Sequence, residues 1–150
     1  MPRRTLVLLA LAAVASVAGC SANGEFNPVG QGAEKDMTPT QLAAFAATAK
    51  YPDTRPSSAL KVAAIVNRDK GTIKVYNFSG QPIHNARVWV DKAYVAKIDG
   101  IAPQNKATVE VDKLYGPFGN NFASQKDTPI SSVQLQTDEG LFDVEGPAQE

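Results

Sequence analysis

The chain has one cysteine and one histidine in 150 residues. A single histidine excludes metal sites built from several imidazoles and leaves His84 as the one candidate general base of that type. A single cysteine excludes an intramolecular disulfide, so the folded part must hold together by packing. A charge bias is missing as well: 15 Lys and Arg stand against 15 Asp and Glu, which gives no electrostatic footprint for nucleic acid. Neither Gly-x-Ser-x-Gly nor His-Glu-x-x-His occurs. Asp138-Glu139-Gly140 lacks the alternating acids of a calcium loop and reads as a solvated hairpin turn. The sequence therefore assigns no catalytic residue, no metal ligand and no cofactor.

What is present begins at the N-terminus. Arg3 and Arg4 precede an uncharged, mostly apolar run from Thr5 to Gly19 that closes on small residues before Cys20, the layout of a secretory signal. As a helix, Leu6 to Ala18 would rise only about 20 Å against a hydrocarbon core of roughly 30 Å, too short to span comfortably. Val17-Ala18-Gly19-Cys20 resembles the lipobox of bacterial lipoproteins. The resemblance implies diacylglycerol transfer to the Cys20 thiol, cleavage before it, acylation of the new amine (palmitate being a typical chain) and a membrane partner reached through the anchor. It also implies the cell envelope as location. Ser21, where aspartate would favour inner-membrane retention, points to the outer membrane facing the periplasm in a Gram-negative host. Cleavage removes two of the 15 basic residues and none of the 15 acids, leaving 13 against 15, or −2.

The mature chain divides by texture. Residues 20–58 are rich in Gly, Pro, Ala and Thr and read as the lipid anchor and a flexible tether. Within it Thr38-Pro39-Thr40-Gln41 forms a capping box with proline at the first helical position, and Leu42, Phe45, Ala46 and Ala49 recur at helical spacing. A helix over 39–50 follows, stopped by Tyr51-Pro52. So short a helix must dock or flicker.

Residues 59–146 change to short β-branched and aromatic runs separated by turns. Strands are expected at Leu60–Val66, Thr72–Phe78, Ala86–Val90, Ala93–Ile98, Ala107–Val111, Ile130–Gln136 and Leu141–Val144, with a short tail over 147–150. Seven strands and no long helix predict an all-β fold, a small antiparallel sandwich. The expected core is Val62, Ala64, Val66, Ile73, Val75, Val88, Val90, Val95, Ile101, Val109, Val111, Val133 and Leu135. The stretch from Ile73 to Val111, with Asn77-Phe78-Ser79-Gly80 ending one strand, Tyr94-Val95 opening another and Thr108-Val109 in a third, looks like the immunoglobulin-like and fibronectin-type-III-like modules of bacterial envelope proteins. That resemblance implies an Ig-like sandwich and little about activity.

Two places could carry recognition. Tyr115-Gly-Pro-Phe-Gly-Asn-Asn-Phe122 joins aromatics to flexible residues between strands, making Tyr115, Phe118, Asn120, Asn121 and Phe122 candidate binding residues. Aromatics that plug the open end of the core are the competing account. Arg87 and Trp89 share the strand face opposite Val88 and Val90 and would form a contact surface if outward, with Tyr76 or Tyr94 nearby. If Trp89 is instead buried, the sandwich is covered on both sides. The function expected is a membrane-anchored, non-catalytic module that binds an envelope protein or glycan or serves envelope assembly. An envelope hydrolase using His84 and a structural spacer stand as alternatives.

Overall fold

The computed structural model describes residues 30–31, 37–125 and 128–149. The expected signal sequence, with Cys20 and Ser21, lies outside the described residues. None of the helices among those residues is long and apolar enough to cross a membrane.

Two sheets face each other. In chain order the elements are β1 (Gly30–Gln31), α1 (Pro39–Thr48), β2 (Val62–Asn67), β3 (Thr72–Asn77), β4 (Ile83–Val90), β5 (Tyr94–Ile101), β6 (Asn105–Glu110), β7 (Val133–Thr137), β8 (Gly140–Asp143) and β9 (Glu145–Gln149). One sheet runs β1-β6-β3-β2-β9 and the other β5-β4-β7-β8. The fold is thus an all-β sandwich, with one short α-helix among the described residues. Each of the seven expected strands is present, with ends displaced by a few residues. The expectation of a purely antiparallel arrangement holds for every interior pair. The outermost strands of the five-stranded sheet, β1 on β6 and β9 on β2, pair in parallel.

Alternation builds the core. In β3, Ile73, Val75 and Asn77 are buried while Thr72, Lys74 and Tyr76 are partly exposed. All thirteen expected core residues are buried. Twelve belong to the main cluster between the sheets, and Val95 lies in a second cluster. Three residues, Asp91 to Ala93, join β4 to β5; Asp91 and Lys92 both take positive φ, 50° and 60°, and Ala93 N–H donates to the Val90 carbonyl at 3.1 Å. That is the mirror-image turn whose twist suits the flanking strands. Asp91 also accepts from the Ser131 and Ser132 amides, both at 2.8 Å, which ties the turn to the segment entering β7.

The second cluster is the work of α1. Its capping box forms as the sequence indicates: Gln41 N–H donates to Thr38 Oγ1 at 3.3 Å and Thr38 N–H to Gln41 Oε1 at 2.8 Å. The helix docks on the outer face of the four-stranded sheet, where Ala46 joins Trp89, Val95 and Leu141, flanked by Phe45, Ala49, Tyr51 and Tyr115. Ser57 continues the contact through backbone bonds to Leu141 and Asp143. Residues 38–57, expected within the tether, therefore pack against the sandwich, because the outward side of the four-stranded sheet is itself apolar and needs a cover.

Candidate binding site

The Tyr115–Phe122 segment folds as a small hairpin in which the aromatics have separate positions. After β6 a 3-10 turn at Val111–Lys113 leads to Tyr115, which bridges Val95 at the start of β5 and then Asn121 on its own return arm. Gly116 N–H donates to the Asn120 carbonyl at 2.8 Å, and Gly119 N–H closes the tip on the Gly116 carbonyl at 3.0 Å. Pro117 and Phe118 are the two central residues of that turn. Gly119 takes φ +75°, and a Cβ built on it would lie 3.7 Å from Ala43 of α1. The tip therefore leans on the helix.

The side chains follow from this backbone. Phe122 is fully buried, its ring nearly edge-on to Tyr94 at 4.9 Å and beneath the Arg68 guanidinium at 5.2 Å. It plugs the end of the core, as the competing account of the aromatics has it. Asn120 donates to the Tyr94 hydroxyl at 2.9 Å, as does Gln125. Asn121 donates to the Asp112 carbonyl at 2.6 Å and accepts from Ala123 N–H at 2.8 Å. Tyr115 is half-buried against α1. Phe118 alone stands out, 94% exposed. The hairpin thus presents one aromatic ring on a backbone braced from three directions.

The second expected surface is closed. Trp89 does lie opposite Val88 and Val90, yet all three are buried, because α1 and Tyr51 cover the outer side. The Trp89 ring meets Tyr51 at 5.4 Å and 86°, and its indole N–H donates to Gln136 Oε1 at 2.8 Å. Arg87 is half-buried with its guanidinium 5.7 Å from the Phe45 ring centroid. Neither Tyr76 nor Tyr94 neighbours Trp89. Tyr94 turns into the core, and Tyr76 lies on the other sheet, facing outward.

His84 is exposed on β4, opposite Gly100 of β5. Among the described residues no group of three or more His, Cys, Asp and Glu could hold a metal. An open cleft of about 670 Å³ sits at the hairpin's end of the sandwich, where Arg68, Lys70, Glu110 and Asp112 mix charges of both signs. One further exposed aromatic patch escaped sequence reasoning. Tyr76 and Phe78 stack at 5.9 Å with 6° between planes, Lys106 Nζ sits 5.6 Å from the Tyr76 ring centroid, and Phe78 is 52% exposed. The signal was available in Tyr76-x-Phe78, two aromatics at the period of one strand face. Comparison with family models, curated proteins and solved structures finds no match to this chain.

Proposed function

We propose that the chain is an exported, lipid-anchored protein that displays a non-catalytic sandwich, Ig-like in character, and that it contacts a partner in the cell envelope through the Phe118 hairpin. The lipobox-like Val17-Ala18-Gly19-Cys20 supports the anchor. The observation that carries the binding role is Phe118, wholly outside the core at the tip of a turn whose every other large side chain is engaged. An aromatic held on a rigid backbone contributes contact area with little conformational entropy left to lose, which is the character of an interface anchor. The hairpin's position supports display. Gly30 pairs in parallel with Ala107 near the start of β6, whereas the hairpin follows the end of β6. Gly30 and the hairpin tip lie at opposite ends of β6.

The test compares Phe118→Ala with Phe122→Ala in the full chain. Phe118→Ala should leave thermal unfolding unchanged while partner recovery after crosslinking in native membranes falls, by about 2 kcal/mol or more if the ring is an interface anchor. Phe122→Ala should lower stability by about 3–5 kcal/mol. Undiminished recovery with Phe118→Ala would sink the binding role. A mature N-terminus without acyl groups by mass spectrometry would sink the anchor.

A further inference from the structure

We infer that the outer face of the five-stranded sheet rests on an anionic lipid surface beside the anchor, which orients the sandwich with the Phe118 hairpin away from the membrane; this rests on the lipoprotein reading above. The outer face is built of cross-strand rows. Ile65, Lys74 and Thr108 form one row and Ala63, Tyr76 and Lys106 the next. Lys61 and Phe78 follow, joined by the Phe78 N–H bond to the Lys61 carbonyl at 2.9 Å. Three lysines thus surround the stacked Tyr76 and Phe78, against one acid in these rows, Glu145. The nearest acids are Glu110, in the row beyond Lys74, and Glu145 on the flanking β9, opposite Ala63. With three lysines against these two acids, the face is locally cationic and aromatic, the composition that suits a headgroup layer.

Chain length says what covers it. Gly30, where β1 begins, pairs with Ala107 near the Asn105 end of the sheet, where Lys106, Tyr76 and Phe78 lie. Cys20 is ten residues before Gly30. Ten residues reach at most about 36 Å and as a flexible coil average roughly 16–19 Å. Neighbouring strands are about 4.8 Å apart, so Tyr76 lies only some 10 Å across the sheet from Gly30. A segment of that length lets the acyl chains sit in the membrane while the lysines meet its surface. With two or three acyl chains fixing the protein to the membrane, the sheet face has only to set its orientation.

The acylated full chain, reconstituted in vesicles, tests this. Acylation leaves Cys20 unreactive, so Thr108→Cys supplies a single thiol on the face and Asp69→Cys one at the far end, each for a polarity-sensitive dye. In vesicles of equal parts phosphatidylglycerol and phosphatidylcholine, the dye at position 108 should shift to the blue and be quenched by lipid-borne nitroxide; at position 69 it should not. Each lysine at an anionic surface raises the docked-to-undocked ratio about fivefold, so Lys74→Glu with Lys106→Glu should lower that ratio at least twentyfold. Raising salt on the parent chain gives the same loss without any substitution, which keeps the test valid if the double variant folds poorly. Acylated protein whose dye at position 108 responds identically in phosphatidylcholine alone, or at high salt, overturns the inference and leaves the lipoprotein reading standing. Protein without acyl groups overturns both.

Discussion

The rings of Tyr51 and Trp89 stand almost perpendicular, 86° apart with centroids 5.4 Å from each other, and they join the segment after α1 to the outer face of the four-stranded sheet. The Tyr51 hydroxyl donates to Gln134 Oε1 at 2.6 Å, and the Gln134 amide donates to Asp143 Oδ1 at 3.0 Å. One buried amide thereby links three elements.

Burial raises the Tyr51 hydroxyl above its ordinary value and the Asp143 carboxylate adds to this, against a smaller opposing effect of the Gln134 side chain. A group whose folded value is raised contributes stability that is complete below its unfolded value, about 10, and lost as pH climbs through the folded one. Unfolding free energy should therefore decline above about pH 10, and Tyr51→Phe should flatten that decline. At neutral pH the same substitution leaves Gln134 Oε1 short of a donor and should cost about 1 kcal/mol. Denaturant titrations across the alkaline range check both.

Leu42 of α1 is buried, so Leu42→Ala should destabilise the whole chain by about 2–5 kcal/mol and red-shift the emission of Trp89, the only tryptophan. A freely flickering helix would show neither change. The fluorescence spectrum and the unfolding curve of one variant settle the matter.

The strand runs, the capping box and the core residues could be read from the sequence because each rests on local period: two for β3, near 3.6 for α1. The docking of α1 could not. The outer face of the four-stranded sheet looks apolar only once the partners of Trp89 are known, and Ala46 and Leu141 are far from it in sequence. β1 and β9 were hidden for a different reason. They are edge strands of few residues with little β-branched content, and they pair in parallel with strands distant in sequence. Within the hairpin, Phe118 and Phe122 have the same chemistry and lie four residues apart. Only the turn closed by Gly119 separates the exposed ring from the buried one.

Asn77 was readable as a strand residue and not as a polar core. It is fully buried, with its side-chain N–H groups donating to the carbonyls of Gln81 at 2.8 Å and Ile101 at 3.1 Å, while its Oδ1 accepts from the Ser79 amide at 2.9 Å and hydroxyl at 2.6 Å. Asn77→Ala strips partners from several shielded groups at once and should cost about 3 kcal/mol. A loss under 1 kcal/mol by chemical denaturation would mean that water replaces those bonds.

Gly100 faces β4 so closely that a Cβ would meet the Ile83 carbonyl oxygen at 2.4 Å. Backbone cannot rotate away as a side chain could, so Gly100→Ala should destabilise by about 1–3 kcal/mol, whereas Gly80→Ala, with open space around it, should stay within about 0.5 kcal/mol. Thermal unfolding of the two variants side by side gives the contrast.

The measurement that bears most directly on the binding role is site-specific photocrosslinking in native membranes, with the photoreactive side chain placed once at Phe118 and once at Asp138, which is also exposed in a turn. The account predicts a discrete crosslinked species from position 118 that is absent from position 138, and that the unmodified chain competes away while Phe118→Ala does not. Matching patterns from the two positions, or equal competition by Phe118→Ala, would contradict it.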